Sequence, residues 1–160
     1  MIIRPAETTD HDAIFAMIDP VFKAGETYAI DRDMDRDATL AYWMHPEKQV
    51  FVAEDMGALW GTYYLVRNFG GGGSHICNCG YITAKVARGK GVARQMLQHS
   101  LETAKVASFR AMMYNSVVAT NTRAVDTWLR AGFEQVGRVP EAFNHPAHGY
   151  VDTLVMLKRL

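Results

Sequence analysis

The sequence predicts an α/β (α+β) fold built on a mixed sheet of about seven strands, and three observations carry that prediction. About seven short runs have strand character, and about four longer runs repeat apolar residues at helical spacing. The two kinds of run are interleaved along the chain, not segregated into halves. Near the middle, Tyr81 to Arg94 reads as a strand end, a short basic glycine-containing loop and a helix start. Such a strand–helix–strand unit brings its two strands together in parallel. At 160 residues the chain can bury a substantial core and is read as one domain, residues 1–160.

Taken in order, Met1 to Pro5 is a short strand ended by proline. Thr8, Thr9 and Asp10 supply N-caps for a helix that turns Ile14, Met17, Ile18, Val21 and Phe22 inward, with Pro20 as a kink or break. Gly25 to Asp33 is irregular. Asp31 to Asp35 imitates the opening of a calcium loop, but Arg36 stands where glycine is required and Tyr42 where an acid is required. It is read as the solvated start of a helix carrying Leu40, Trp43 and Met44 and stopping at His45-Pro46.

Gln49 to Glu54 and Leu59 to Phe69 are strands joined by the turn Asp55-Met56-Gly57, and Gly70 to Gly73 is a loop tip within a hairpin connection. Ile76 to Thr83 is largely small or apolar on both faces, as a central strand should be. The helix from Gly91 to about Ser108 lines up Val92, Met96, Leu97, Leu101 and Ala104. Arg110 to Val118 is the next strand. Asn121 caps a helix carrying Ala124, Val125, Trp128 and Leu129, closed by Gly132. Phe133 to Val139 and Tyr150 to Leu157 are the last strands. A loop from Pro140 to Gly149, holding Asn144, His145 and His148 at the surface, joins them.

Composition narrows the partners. Seventeen Lys and Arg balance seventeen Asp and Glu, so no global basic field points to nucleic acid. No apolar run reaches membrane-spanning length and the N-terminus has no signal-peptide core, which leaves a cytoplasmic location as the expectation. Cys77 and Cys79 share one strand face about 6.5–7 Å apart, a spacing that disfavours a disulfide. With His75 they invite a zinc test, but ligands strung along one strand do not converge on one ion. No metal is expected; the cysteines are read as buried thiols.

The basic loop carries the chemistry. No acidic residue stands between Tyr81 and Leu101. A helix N-terminus presents unpaired N–H groups and partial positive charge. Gly89 and Gly91 admit a ligand close to the backbone, and Arg88, Lys90 and Arg94 add full charge. This suits an anionic, phosphorylated ligand. The segment is not a P-loop, because Gly91 follows Lys90 where Ser or Thr is required, and it lacks the spacing of the dinucleotide fingerprint. A basic helix start with no ligand is the plain structural alternative.

Two motifs then agree. Arg88-x-x-Gly91-x-Ala93 resembles the pyrophosphate loop of the GCN5-related N-acetyltransferases. Asn121-x-x-Ala124-x-x-x-Trp128-x-x-x-Gly132-Phe133 is similar to that family's Asn-x-x-Ala-x-x-x-Tyr-x-x-x-Gly-Phe helix, and the element order is similar along nearly the whole chain. The resemblance implies the acyl-CoA N-acyltransferase fold, a mixed, mostly antiparallel sheet with helices on both faces, and acetyl-CoA as co-substrate. It implies that backbone groups of Tyr81, Ile82 and Thr83 hold the pantetheine arm. Arg88, Gly89, Lys90, Gly91, Val92, Ala93 and Arg94 would then take the pyrophosphate, and Asn121 and Trp128 would also contact the cofactor.

Trp128 stands where the family commonly has a tyrosine that protonates the leaving thiolate, and an indole N–H is too weak an acid for that. Where relatives carry a glutamate base, this chain has Cys77, Asn78, Asn115 and Ser116. The catalytic residues are therefore unassigned, with Asn115 and Ser116 as candidates, and positioning with proton relay by water or backbone is expected. Asn115 and Asn78 are the candidates for substrate binding. Tyr114 to Asn121, with Trp128 and Gly137-Arg138-Val139-Pro140, most resembles the fungal branch that acetylates proline-like imino acids, where an asparagine matching Asn115 contacts the substrate. Tyr28, Tyr63, Tyr64 and Tyr150 are core or rim residues, one of them a candidate lining of the acceptor pocket.

The implied function is acetyl transfer from acetyl-CoA, by direct attack, to the amine of a small amino-acid-like or other small-molecule acceptor. Peptide or protein N-terminal acetylation and a non-catalytic acyl-CoA-binding module are the alternatives. The expected partner is a small-molecule amine, with a homodimer left open.

Overall fold

The computed structural model describes residues 1–160. The elements are β1 (Ile2–Pro5), α1 (His11–Ala24), α2 (Arg36–Trp43), β2 (Gln49–Asp55), β3 (Ala58–Arg67), β4 (Ile76–Thr83), α3 (Val92–Val106), β5 (Ala111–Val118), α4 (Thr122–Arg130), β6 (Glu134–His145) and β7 (Gly149–Arg159). All seven strands form one sheet in the order β1-β2-β3-β4-β5-β7-β6. Every neighbouring pair is antiparallel except β4 and β5, which are parallel. The expected mixed, mostly antiparallel sheet is the one observed.

Side-chain alternation divides the core between the two faces. Tyr63, Leu65, Cys77, Cys79, Met112 and Tyr114 pack with Val92, Met96, Leu97 and Ala104 of α3. On the opposite face Val50, Val52, Tyr64 and Ile82 pack with Ile14, Ile18 and Phe22 of α1 and with Trp43 of α2. Trp43 is fully buried, and its Nε1–H donates to Thr62 Oγ1 at 3.1 Å while Thr62 donates to the Phe51 carbonyl at 2.9 Å. The indole is thus buried with its polar atom satisfied. Cys77 and Cys79 are free and buried, and burial pushes the Cys77 thiol up to about 12. His75 lies just before β4, not on it.

Three elements refine or correct the sequence reading. α1 passes through Pro20, which excludes the break and leaves the kink as the reading there; Pro20 sits with Ala16 on the exposed face, so the carbonyl left without a partner reaches water. Leu129, one of the apolar residues carried by α4, is exposed. β6 continues past Pro140 to His145, because it is an edge strand, where the missing N–H costs no ladder bond. A register shift between Val139 and Phe143 absorbs the proline, with Glu141 at φ +49° and its N–H donating to Asp152 Oδ1 at 3.0 Å. His145 is consequently buried at the hairpin end, its Nδ1 accepting from the Ala147 N–H at 3.1 Å and its ring 4.6 Å from that of His148. No helix is long and apolar enough to cross a membrane.

Candidate active site

β4 and β5 pair only at Ile76–Ala111 and Cys77–Met112, then part. A bulge is one cause: between Tyr114 and Val117 β5 carries one residue more than β7 opposite it, and a bulged strand bends. Asn115 and Ser116, the candidate catalytic residues, are the exposed residues in that irregularity. The Asn68 N–H bonds the Ile76 carbonyl and the Ala84 N–H bonds the Trp60 carbonyl, so the even-numbered backbone groups of β4 face β3. Alternation then directs the backbone groups of Tyr81 and Thr83 into the gap, with no β5 residue paired to them. Ile82 turns its backbone toward β3 and its buried side chain toward α1.

The gap leads to the start of α3. Gly89 and Gly91 have φ +80° and +79°, a conformation that favours glycine, and a Cβ at either would meet nothing within 4 Å. The N–H groups of Gly89, Gly91, Val92, Ala93 and Arg94 donate to no other group in the chain. Val92 buries its side chain, while Gly89 and Ala93 are exposed. Arg88, Lys90 and Arg94 are exposed and take part in no ion pair. Lys90 Nζ lies 4.3 Å from the centroid of the Trp60 ring. Unsatisfied donors, an open glycine backbone and cations without an ion-pair partner make this helix start a cradle of the kind that suits an anion.

On the α3 face the aromatic side chains are tied down. Tyr81 Oη lies 2.7 Å from Ser100 Oγ and 3.2 Å from Tyr114 Oη, and Ser100 donates to the Leu97 carbonyl at 2.7 Å. Burial raises both phenols well above their ordinary range. Trp128 packs on Tyr81, Tyr114 and Phe133, with ring centroids 5.3, 4.9 and 6.2 Å away. Asn121 Oδ1 accepts the Ala124 N–H at 3.3 Å and caps α4, while Gly132 follows the helix at φ +84°. Both expected capping roles are realised.

The α1/α2 face holds what the sequence did not reveal. Asn68, just beyond β3, forms a reciprocal amide pair with Asn115: its Nδ2 donates to Asn115 Oδ1 at 2.9 Å, and Asn115 Nδ2 donates to Asn68 Oδ1 at 2.7 Å. Asn78 Nδ2 adds a longer contact of 3.4 Å to the same Asn68 oxygen. The three amides gather where β4 and β5 part. Tyr28, from the segment between α1 and α2, donates its hydroxyl to the Tyr81 carbonyl at 3.1 Å. Tyr64 lies over Gly80, where a Cβ would approach its ring to 2.6 Å. No Asp, Glu or His side chain bonds any of these groups.

Comparison with known proteins agrees with this geometry. The model of the acetyltransferase (GNAT) family matches residues 14–133. The chain belongs to that family. Acetyl-CoA is the co-substrate, and the enzyme is an acetyl-CoA-dependent N-acetyltransferase. The chain is similar to a GCN5-related N-acetyltransferase from Kribbella flavida, with 39% identity and a TM-score of 0.94 over 99% of this chain and 97% of that one. It is also similar to the N-acetyltransferase aca1 of Schizosaccharomyces pombe, 29% identical over 82% of this chain and 71% of that protein. The fold is shared with Salmonella typhimurium yncA, solved with its cofactor acetyl-CoA, at 21% identity, with a TM-score of 0.86 over 100% of this chain and 94% of that one.

Asn68 could not be singled out from sequence, since its partner Asn115 is 47 positions away and no local pattern links them. Tyr28 lies in a stretch without periodicity. Its only sequence signal is aromatic character, which marks it as a core or rim residue and gives it no chemical role.

Proposed function

We propose that the enzyme acetylates the amine of a small amino-acid-like acceptor, with acetyl-CoA bound at the α3 start and along the open edge of β4. In this reading the unpaired amides from Gly89 to Arg94 take the pyrophosphate, with Arg88, Lys90 and Arg94 neutralising its charge. The backbone of Tyr81 and Thr83 takes the arm, and residues 1–160 work as one catalytic domain. The observation that carries the acceptor class is the amide cluster of Asn68, Asn78 and Asn115. Its internal bonds leave an N–H on each side chain and free lone pairs on Asn78 and Asn115. Such an uncharged, donor-rich patch can hold a carboxylate or amide beside the gap while leaving the acceptor's amine free to attack. With no carboxylate or imidazole at hand, positioning carries the larger part of the rate enhancement.

The test is thiol release from acetyl-CoA across free amino and imino acids including L-proline, their carboxamides, and short peptides. Release with the free acids above that with peptides is expected. Peptide preference would favour N-terminal acetylation, and CoA binding without release for any amine would favour the non-catalytic reading. Asn115→Ala should lower kcat/KM for the best acceptor by roughly 3- to 100-fold, the worth of one hydrogen bond to a neutral or charged partner. Acetyl-CoA affinity and melting temperature should stay near wild type, because Asn115 is exposed and away from the cradle.

A further inference from the structure

The missing acid has a candidate on the face opposite Trp128. We propose that Tyr28 is the proton donor of the reaction, its Oη–H supplying the hydrogen that the departing thiolate requires. This rests on the reading of the β4–β5 gap as the acetyl-CoA channel. The Tyr28 hydroxyl is anchored to the Tyr81 carbonyl, one of the backbone groups that alternation turns into the gap. Its ring is wedged against Phe22 and Trp43, with centroids 5.3 and 6.1 Å away, and both of those side chains are buried. A phenol held in this way loses little rotational freedom when it acts.

Three other phenols near β4 are engaged elsewhere. Tyr81 and Tyr114 bond to each other, and Tyr81 also to Ser100, on the α3 face. Tyr63 meets His99 Nδ1 at 2.6 Å on that same face. Burial raises the Tyr28 phenol well above its ordinary range, so it is protonated in the resting enzyme and poised to donate. A proton passed to sulfur as the C–S bond breaks avoids a free thiolate beside this half-buried ring, and its replacement from the amine nitrogen avoids a lasting phenolate.

The step balances. The amine nitrogen forms the new C–N bond, the C–S bond breaks, and sulfur takes the hydrogen from Tyr28 Oη. Tyr28 regains a proton from the amine nitrogen, directly or through water. No further reactant is needed.

Tyr28→Phe removes the hydroxyl alone. The expected result is a fall in kcat of about 100-fold, the usual range for loss of an acid–base group. Acetyl-CoA affinity should stay within about threefold and the melting temperature near wild type. A second readout needs no turnover: the thiol pKa of bound CoA, followed by thiolate absorbance in the ultraviolet, should rise in Tyr28→Phe because the thiolate loses its hydrogen-bond donor. Should Tyr28→Phe fold poorly, site-specific 3-fluorotyrosine at position 28 keeps the bond and changes only the acidity. A shift in kcat and in the bound thiol's pKa is again expected. Unchanged kcat with an unmoved thiol pKa, in either variant, would make Tyr28 a clamp for the α1–α2 segment and overturn the proposal. Failure of wild-type protein to bind CoA would instead overturn the channel reading beneath it.

Discussion

Gly91→Glu should abolish measurable acetyl-CoA binding while leaving the free protein folded. Gly91 is the N-cap of α3 at φ +79°, and a side chain there would project into open space. The strain of a left-handed non-glycine residue is about 1–2 kcal/mol. A carboxylate at a helix N-terminus recovers part of that through the dipole. Against a stability of about 5–15 kcal/mol for a domain, the fold survives. Binding does not, because the new carboxylate occupies the anion cradle. Two like charges about 4 Å apart near a protein surface repel by about 4 kcal/mol, close to 1,000-fold in affinity. Isothermal titration calorimetry measures it, with Gly91→Ala separating strain from charge: alanine should bind detectably and glutamate should not.

The second large effect is on stability. Trp43→Ala should cost about 3–5 kcal/mol, as large aromatic truncations in a closed core do. Trp43 is fully buried, its ring lies 4.9 Å from Tyr64 and 6.0 Å from Phe22, and its N–H satisfies Thr62. Tyr28, which bonds the Tyr81 carbonyl, and Tyr64, which lies over Gly80, both lean on it. Urea unfolding should therefore show a much lower midpoint, and turnover should fall even where the variant remains folded. Trp43→Phe keeps most of the apolar contact and should cost distinctly less.

How far the sequence could be read depended on whether a feature was local. β4 was bounded correctly from a run of residues largely small or apolar on both faces, and α3 from apolar spacing. The open glycine backbone and cations at the α3 start are legible for the same reason: charge, glycine and helix start are contiguous. Pro140 reads as a break in the sequence, and only the edge position of β6 lets the strand run through it. The bulge at Asn115 and Ser116 depends on register against β7, which no local pattern records. Asn78 and Asn115 were singled out on strands, but the residue that joins them, Asn68, comes from the end of a third strand. Tyr28 reaches Tyr81 across 53 positions from a segment with no regular structure, so its place at the gap is a product of tertiary packing alone.

The central claim is that the α3 start and the open edge of β4 hold acetyl-CoA. Titration of 15N-labelled protein with CoA, followed by amide shifts, tests it most directly. Saturable changes are predicted at Gly89, Gly91, Val92, Ala93 and Arg94, whose N–H groups have no partner in the free chain, and at Tyr81 and Thr83 along the gap. Amides from Gly89 to Arg94 that stay fixed at millimolar CoA, or changes confined to another surface, would contradict it.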